Sequence, residues 1–138
     1  MGNVIKARFC LMLALGLALA ACSGKSGDLV EPNIFPAAFK SEILDTLKNT
    51  LDDPTNVREA LISDPVLAPL GADQRYIACV RYNARDINRV YVDTKERVAY
   101  FFGGRLNQLV EADKGQCARA AYKPFPELEK LCYAKKCD

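Results

Sequence analysis

The chain contains no histidine and no tryptophan. Without an imidazole it can build neither a Ser-His-Asp nor a Cys-His nucleophilic set, and it lacks the ring-nitrogen ligand common to zinc sites. No apolar run is long enough to stay in a bilayer. The longest, from Phe9 to Cys22, counts fourteen largely apolar residues, against the roughly 20 a membrane-crossing helix needs. What is present is the raw material of one modest domain. The 138 residues are 50% hydrophobic and 26% charged, which suits a chain able to bury a core.

The short apolar run has a direction. Lys6 and Arg8 precede it with no acid between Met1 and Phe9, the order of a secretory signal peptide. It ends in Leu19-Ala20-Ala21-Cys22, which resembles the lipobox of bacterial lipoproteins. That resemblance implies diacylglycerol on the Cys22 thiol, cleavage before it, and Cys22 as the first mature residue. The alternative is an ordinary signal cut nearby that leaves Cys22 a spare thiol. The polar, glycine-containing stretch Ser23-Gly24-Lys25-Ser26-Gly27-Asp28 follows as a flexible tether. Gly24-Lys25-Ser26 mimics the end of a phosphate-binding loop, but no strand precedes it and Leu19 stands where an earlier glycine is required. The expected organisation is residues 1–21 as signal peptide, 22–34 as lipidated N-terminus and tether, and 35–138 as a single domain. The resemblance implies a cell-envelope protein anchored to a membrane and facing the periplasm. Ser23 after the cysteine, where Asp is absent, favours the outer membrane.

Removing the signal alters the charge and thiol accounts. Two of the nineteen basic residues leave with it and none of the seventeen acids, so 19 − 2 = 17 positive charges balance 17 negative ones. The balance gives no ground for nucleic-acid binding. The distribution is uneven, because Arg75, Arg81, Arg85, Arg89, Lys95, Arg97 and Arg105 crowd one stretch against three acids. Cys79, Cys117, Cys132 and Cys137 remain as an even set, which in an oxidising envelope reads as two disulfides. Three pairings are open. Cys117 with Cys132 and Cys79 with Cys137 is favoured here because it ties the C-terminal segment to the sheet, and the rival joins Cys132 to Cys137. A redox pair fits poorly, since Cys132-Tyr-Ala-Lys-Lys-Cys137 lacks two-residue spacing.

Periodicity outlines the domain. Phe35, Phe39, Ile43, Leu44, Leu47 and Leu51 recur at helical spacing, predicting an amphipathic helix from about Pro36 to Leu51 that stops before Asp53-Pro54. A first strand is expected over Val57–Ile62, with an edge strand in the proline-containing stretch that follows. Arg75 to Tyr82 alternates, with Tyr76, Ala78, Val80 and Tyr82 on one face and Arg75, Ile77, Cys79 and Arg81 on the other, as a central strand does. A turn is expected over Asn83–Asn88, and Val90 to Val92 reads as a short strand or part of a loop. Gly103-Gly104 joins two strand-like runs and predicts a tight hairpin pairing Phe101 with Leu106 and Val98 with Leu109. Pro126 begins a short last helix. The sum is an α+β fold: one amphipathic helix on an antiparallel sheet of about four strands, a short C-terminal helix, and disulfide bracing. A cystatin-like arrangement of helix and curled sheet satisfies this order. The domain also resembles small uncharacterised envelope lipoproteins through Asp53-Pro54-Thr55-Asn56-Val57-Arg58 and Gly103-Gly104-Arg105-Leu106-Asn107-Gln108.

Three functional classes are open. The first is a tethered, non-catalytic interaction or structural domain for an envelope protein or the cell wall. Its contact surface is expected at Arg81, Tyr82, Arg85, Arg89 and Tyr91, since arginine and tyrosine dominate interface hot spots. The second is an inhibitor or a module that captures an anionic ligand. The third is a hydrolase using acids among Asp64, Asp73, Asp86, Asp93, Glu96 and Glu111, none of which stands out. No cofactor or metal is expected.

Overall fold

The structure is a computed structural model that describes residues 31–131. The signal peptide, Cys22, Cys132 and Cys137 lie outside the described residues. Eight elements run in order: helix α1 (Phe39–Thr50), strands β1 (Asp53–Ser63), β2 (Val66–Leu70), β3 (Asp73–Arg85), β4 (Lys95–Phe102), β5 (Arg105–Glu111) and β6 (Tyr122–Pro124), then helix α2 (Pro126–Glu129). The fold is α+β with one antiparallel sheet, ordered β5-β4-β3-β1-β6, with β2 beside β3. The sheet has six strands, against the expectation of about four. Among the described residues no helix is long and apolar enough to cross a membrane.

The extra strands have physical causes. β1 and β2 run in succession along the same side of β3, Ile62 opposite Val80 and Val66 opposite Ile77. Asp64-Pro65 breaks the ladder between them, because proline has no N–H to donate. At the break Ser63, the one buried polar residue of the described chain, turns its hydroxyl inward and accepts the Cys79 N–H at 2.9 Å. β6 is a short return strand at the opposite edge of β1, pairing Ile62 with Lys123.

β3 is central, as its alternation predicts, and separates two apolar layers. On the front face Ala78, Val80, Tyr82 and Ala84 join Val57, Ala60 and Ile62 of β1 and Ala99 and Phe101 of β4. This layer is closed by Ile43 and Leu47 of α1 and by Phe125 and Leu128. The helix begins at Phe39, three residues later than expected, because Ala37-Ala38 form a turn in which Phe39 N–H reaches the Pro36 carbonyl at 3.1 Å. Glu42 in its first turn bonds Arg105 and accepts the Leu106 N–H, tying α1 to β5.

On the back face Cys79 and Val98 meet Cys117, with Ile77, Tyr100, Ala112, Ala120 and Tyr122 around them. This second layer exists because β5 and β6 lie at opposite edges of the sheet, so residues 112–121 must cross it. The crossing is fixed at its midpoint by a Cys79–Cys117 disulfide. That bond corrects the expected pairing of Cys117 with Cys132 and Cys79 with Cys137. The error lies in assuming that the C-terminal segment needs the tie, whereas the crossover needs it. Gln116 Nε2 donates to the Tyr100 hydroxyl at 2.5 Å, and Tyr122 donates to Glu96 at 2.6 Å.

The Gly103-Gly104 hairpin forms with Phe101 opposite Leu106. One extra residue then enters β5, so Val98 faces Val110 and not Leu109. Gly104 holds φ +76°, and a Cβ there would lie 3.0 Å from Ile34 Cγ2. Both facts favour glycine. Gly103 N–H also bonds the Pro32 carbonyl at 3.2 Å, so residues expected in the tether are already packed on the domain.

Candidate functional site

β1 carries two irregularities that shape the end of the sheet farthest from this hairpin. Its register with β3 shifts between Asp53 and Arg58 and again between Arg58 and Leu61. Asn56 and Glu59 take φ values of +56° and +54° at these places. Positive φ in non-glycine residues costs of order 1–3 kcal/mol, so each must be held by other contacts. At the second bulge Ala60 donates its N–H to Glu129 at 3.0 Å, and its carbonyl accepts the Phe125 N–H at 2.8 Å. At the first, Tyr91 donates its hydroxyl to the Asn56 carbonyl at 2.7 Å, while the Arg58 guanidinium lies 4.0 Å from the Tyr91 ring centroid.

Tyr91 belongs to the β3–β4 connection, which is more ordered than a polar turn over Asn83–Asn88 would be. β3 continues to Arg85, which bridges to Tyr91. Asp86 organises the turn after the strand: its Oδ1 accepts the N–H groups of Asn88 at 2.8 Å and Val90 at 3.0 Å. The Val90 bond, reinforced by Asn88, holds the Asp86 carboxyl below its ordinary range. Arg89 completes the turn with φ +62°. The result is a fixed loop that presents Ile87, 82% exposed, with Val90 and Val92.

The five residues expected to form a contact surface are therefore split. Tyr82 is 1% exposed and lies in the front core, where burial raises its pKa. It cannot join that surface, because neighbouring side chains of a strand point to opposite faces and Arg81 and Arg85 take the other one. Arg81 is exposed but stands four residues, about 13 Å, along the strand from Arg85. Arg85 is half-buried and pairs with Asp53 at 2.6 Å while reaching Thr55 Oγ1 at 3.1 Å. Burial of Asp53 raises its pKa, but the Thr55 hydroxyl and N–H and the Arg85 charge outweigh it, so the net shift is downward. Arg85 and Tyr91 do come together through their bridge, and Arg89 stands in the turn between them. Arg58, Ile87, Val90 and Val92, which sequence reasoning missed, join them. The available signal was Asp86 two residues before Asn88, the mark of a side-chain-organised turn.

A cleft of about 330 Å³ adjoins this loop, lined by residues that include Tyr82, Arg85, Asp86, Lys95, Arg97 and Glu111. It contains two of the six acids considered for hydrolysis. Asp86 is committed to the turn and held ionised, which is the reverse of what a general acid requires. Elsewhere Asp64 pairs with Lys123, Asp73 with Arg75 at 3.5 Å, and Glu96 with Tyr122. Among the described residues no group of three or more histidine, cysteine or acidic side chains is placed to hold a metal ion. No known protein family, no curated protein and no solved structure matches the chain.

Proposed function

We propose that this protein is a bacterial envelope lipoprotein, anchored through Cys22 and facing the periplasm, whose domain is a non-catalytic interaction module for another envelope component. The observation that carries the reading is the 86–92 loop. It offers Ile87, Val90 and Val92 beside Arg58 and Arg89, and Asp86 and Tyr91 fix its shape before any partner arrives. A pre-formed apolar loop with arginines at its margin loses little entropy on binding. It also lies at the far end of β3 from the point where the described chain begins, about 40 Å away by strand rise, so a tethered domain holds it outward. An anionic-ligand module is less well supported, because Arg85 is already neutralised by Asp53.

The test is site-specific photocrosslinking in intact cells. A crosslinker at Ile87 is expected to give a discrete adduct that is lost when Val90→Asp and Arg89→Ala are added. The same crosslinker at exposed Asn49 of α1 should give none. Equal adduct patterns at the two positions would remove this loop as the contact surface.

A further inference from the structure

The end of the sheet opposite the 86–92 loop has its own apolar character. Two hairpin turns lie there, Gly71-Ala72 between β2 and β3 and Gly103-Gly104 between β4 and β5, and residues 32–35 run against the second. Ile34, Phe35, Leu67, Leu70 and Phe102 are all exposed at this end. Phe35 packs edge-on to Tyr76 with centroids 5.5 Å apart, and Ile34 lies against Gly104, so this segment is part of the rim. On the back face Leu70, Phe102 and Val110 border one open cleft of about 460 Å³, with the Arg75 guanidinium 5.2 Å from the Phe102 ring centroid. The crossover at 112–121 covers the middle of that face and leaves this end open. Arg75 pairs with Asp73 and Arg105 with Glu42, and Glu31 adds one negative charge, so the rim has no cationic excess.

We infer that this hairpin end rests on the lipid surface in which the chain is anchored, with Phe102, Leu70, Ile34 and Phe35 entering the headgroup–acyl boundary. The inference rests on the anchor at Cys22 proposed above. Eight residues lie between Cys22 and Glu31, and the nine residue steps from one to the other reach at most about 30 Å when extended. The apolar rim is where that short tether meets the domain, while the 86–92 loop stands farther off than the tether can reach. Partial insertion of apolar side chains at an interface is the behaviour of surface-bound amphipathic segments. Because the rim has no cationic excess to draw it to anionic headgroups, contact depends on apolar burial and should not weaken as salt rises.

The absence of tryptophan supplies the test. Full-length Phe102→Trp and Leu70→Trp variants, matured in bacteria and reconstituted in phosphatidylethanolamine/phosphatidylglycerol vesicles, each carry a single indole. An Ile87→Trp variant reports the far end. Emission from the two rim positions should shift to the blue and be quenched by brominated acyl chains at low and high salt alike. Emission from position 87 should do neither. Circular dichroism checks the fold, and the mass of the N-terminal peptide reports the acyl groups in the same samples. Acylated protein with equal, unquenched emission at all three positions overturns the docking and leaves the anchor standing. Protein without acyl groups overturns the anchor and the docking with it.

Discussion

At the scale of single residues, side chains supply bonds that backbone pairing cannot. Ser63 is the clearest. The break at Asp64-Pro65 takes away the partner of the Cys79 N–H in the middle of a buried strand, and the serine hydroxyl replaces it. Ser63→Ala should leave a buried donor unsatisfied and cost about 1–3 kcal/mol, read as a lower urea midpoint at unchanged slope. A change within about 0.5 kcal/mol would mean the N–H finds another acceptor. Sequence reading ended the first strand at Ile62 and put an edge strand after it, but did not disclose this bond. A serine beside a proline signals a turn, and its inward orientation depends on which strand lies opposite.

At the scale of elements, β1 is the strand whose shape the sequence least disclosed. Its apolar residues predict a plain strand over Val57–Ile62, yet it is bulged twice, and each bulge is held by a different distant segment. The first bulge and the 86–92 loop share an electrostatic dependence. Asp53 and Asp86 both titrate below the ordinary aspartate value of 3.8. A carboxyl lowered by folding contributes stability above its unfolded pKa and loses it as pH falls through the folded value. The far end of the sheet should therefore loosen below about pH 4 while the front core persists. Amide-exchange protection of Asn88 and Val90 should fall on acidification. In Asp86→Ala it should already be low at neutral pH and show no acid step. Unchanged protection in that variant would show that the backbone bonds of Asp86 with Val90 and Arg89 suffice.

At the scale of the whole molecule, the chain must bring its last strand from one edge of the sheet to the other, and the Cys79–Cys117 bond closes this path around 38 residues of separation. Cross-linking a loop of that size removes freedom chiefly from the unfolded chain, for about 2–4 kcal/mol. Cys117→Ser should lose this much, and non-reducing digestion of the wild type should yield a peptide joining Cys79 to Cys117. A linkage of either cysteine to Cys132 or Cys137 would contradict the crossover described here. The described residues then have two unlike ends: an apolar rim without cationic excess, against which residues 32–35 pack, and an ordered loop bearing Arg89 about 40 Å away. That polarity would place the proposed anchor and the proposed contact surface at opposite ends.

The sequence by itself determined the α+β class, the helix through Ile43 and Leu47, the central strand with its two faces, and the Gly103-Gly104 hairpin with Phe101 opposite Leu106. These come from local rules, the helical repeat, the two-residue pleat and the φ preference of glycine, which neighbouring residues express directly. Only the tertiary structure decided which cysteine meets Cys79, where β1 bulges, and that Arg58 of one strand lies over Tyr91 of a loop. Each of these depends on how segments dozens of residues apart close around the sheet. A local pattern can say which face a side chain takes, but what waits on that face is fixed only when the chain has folded back on itself.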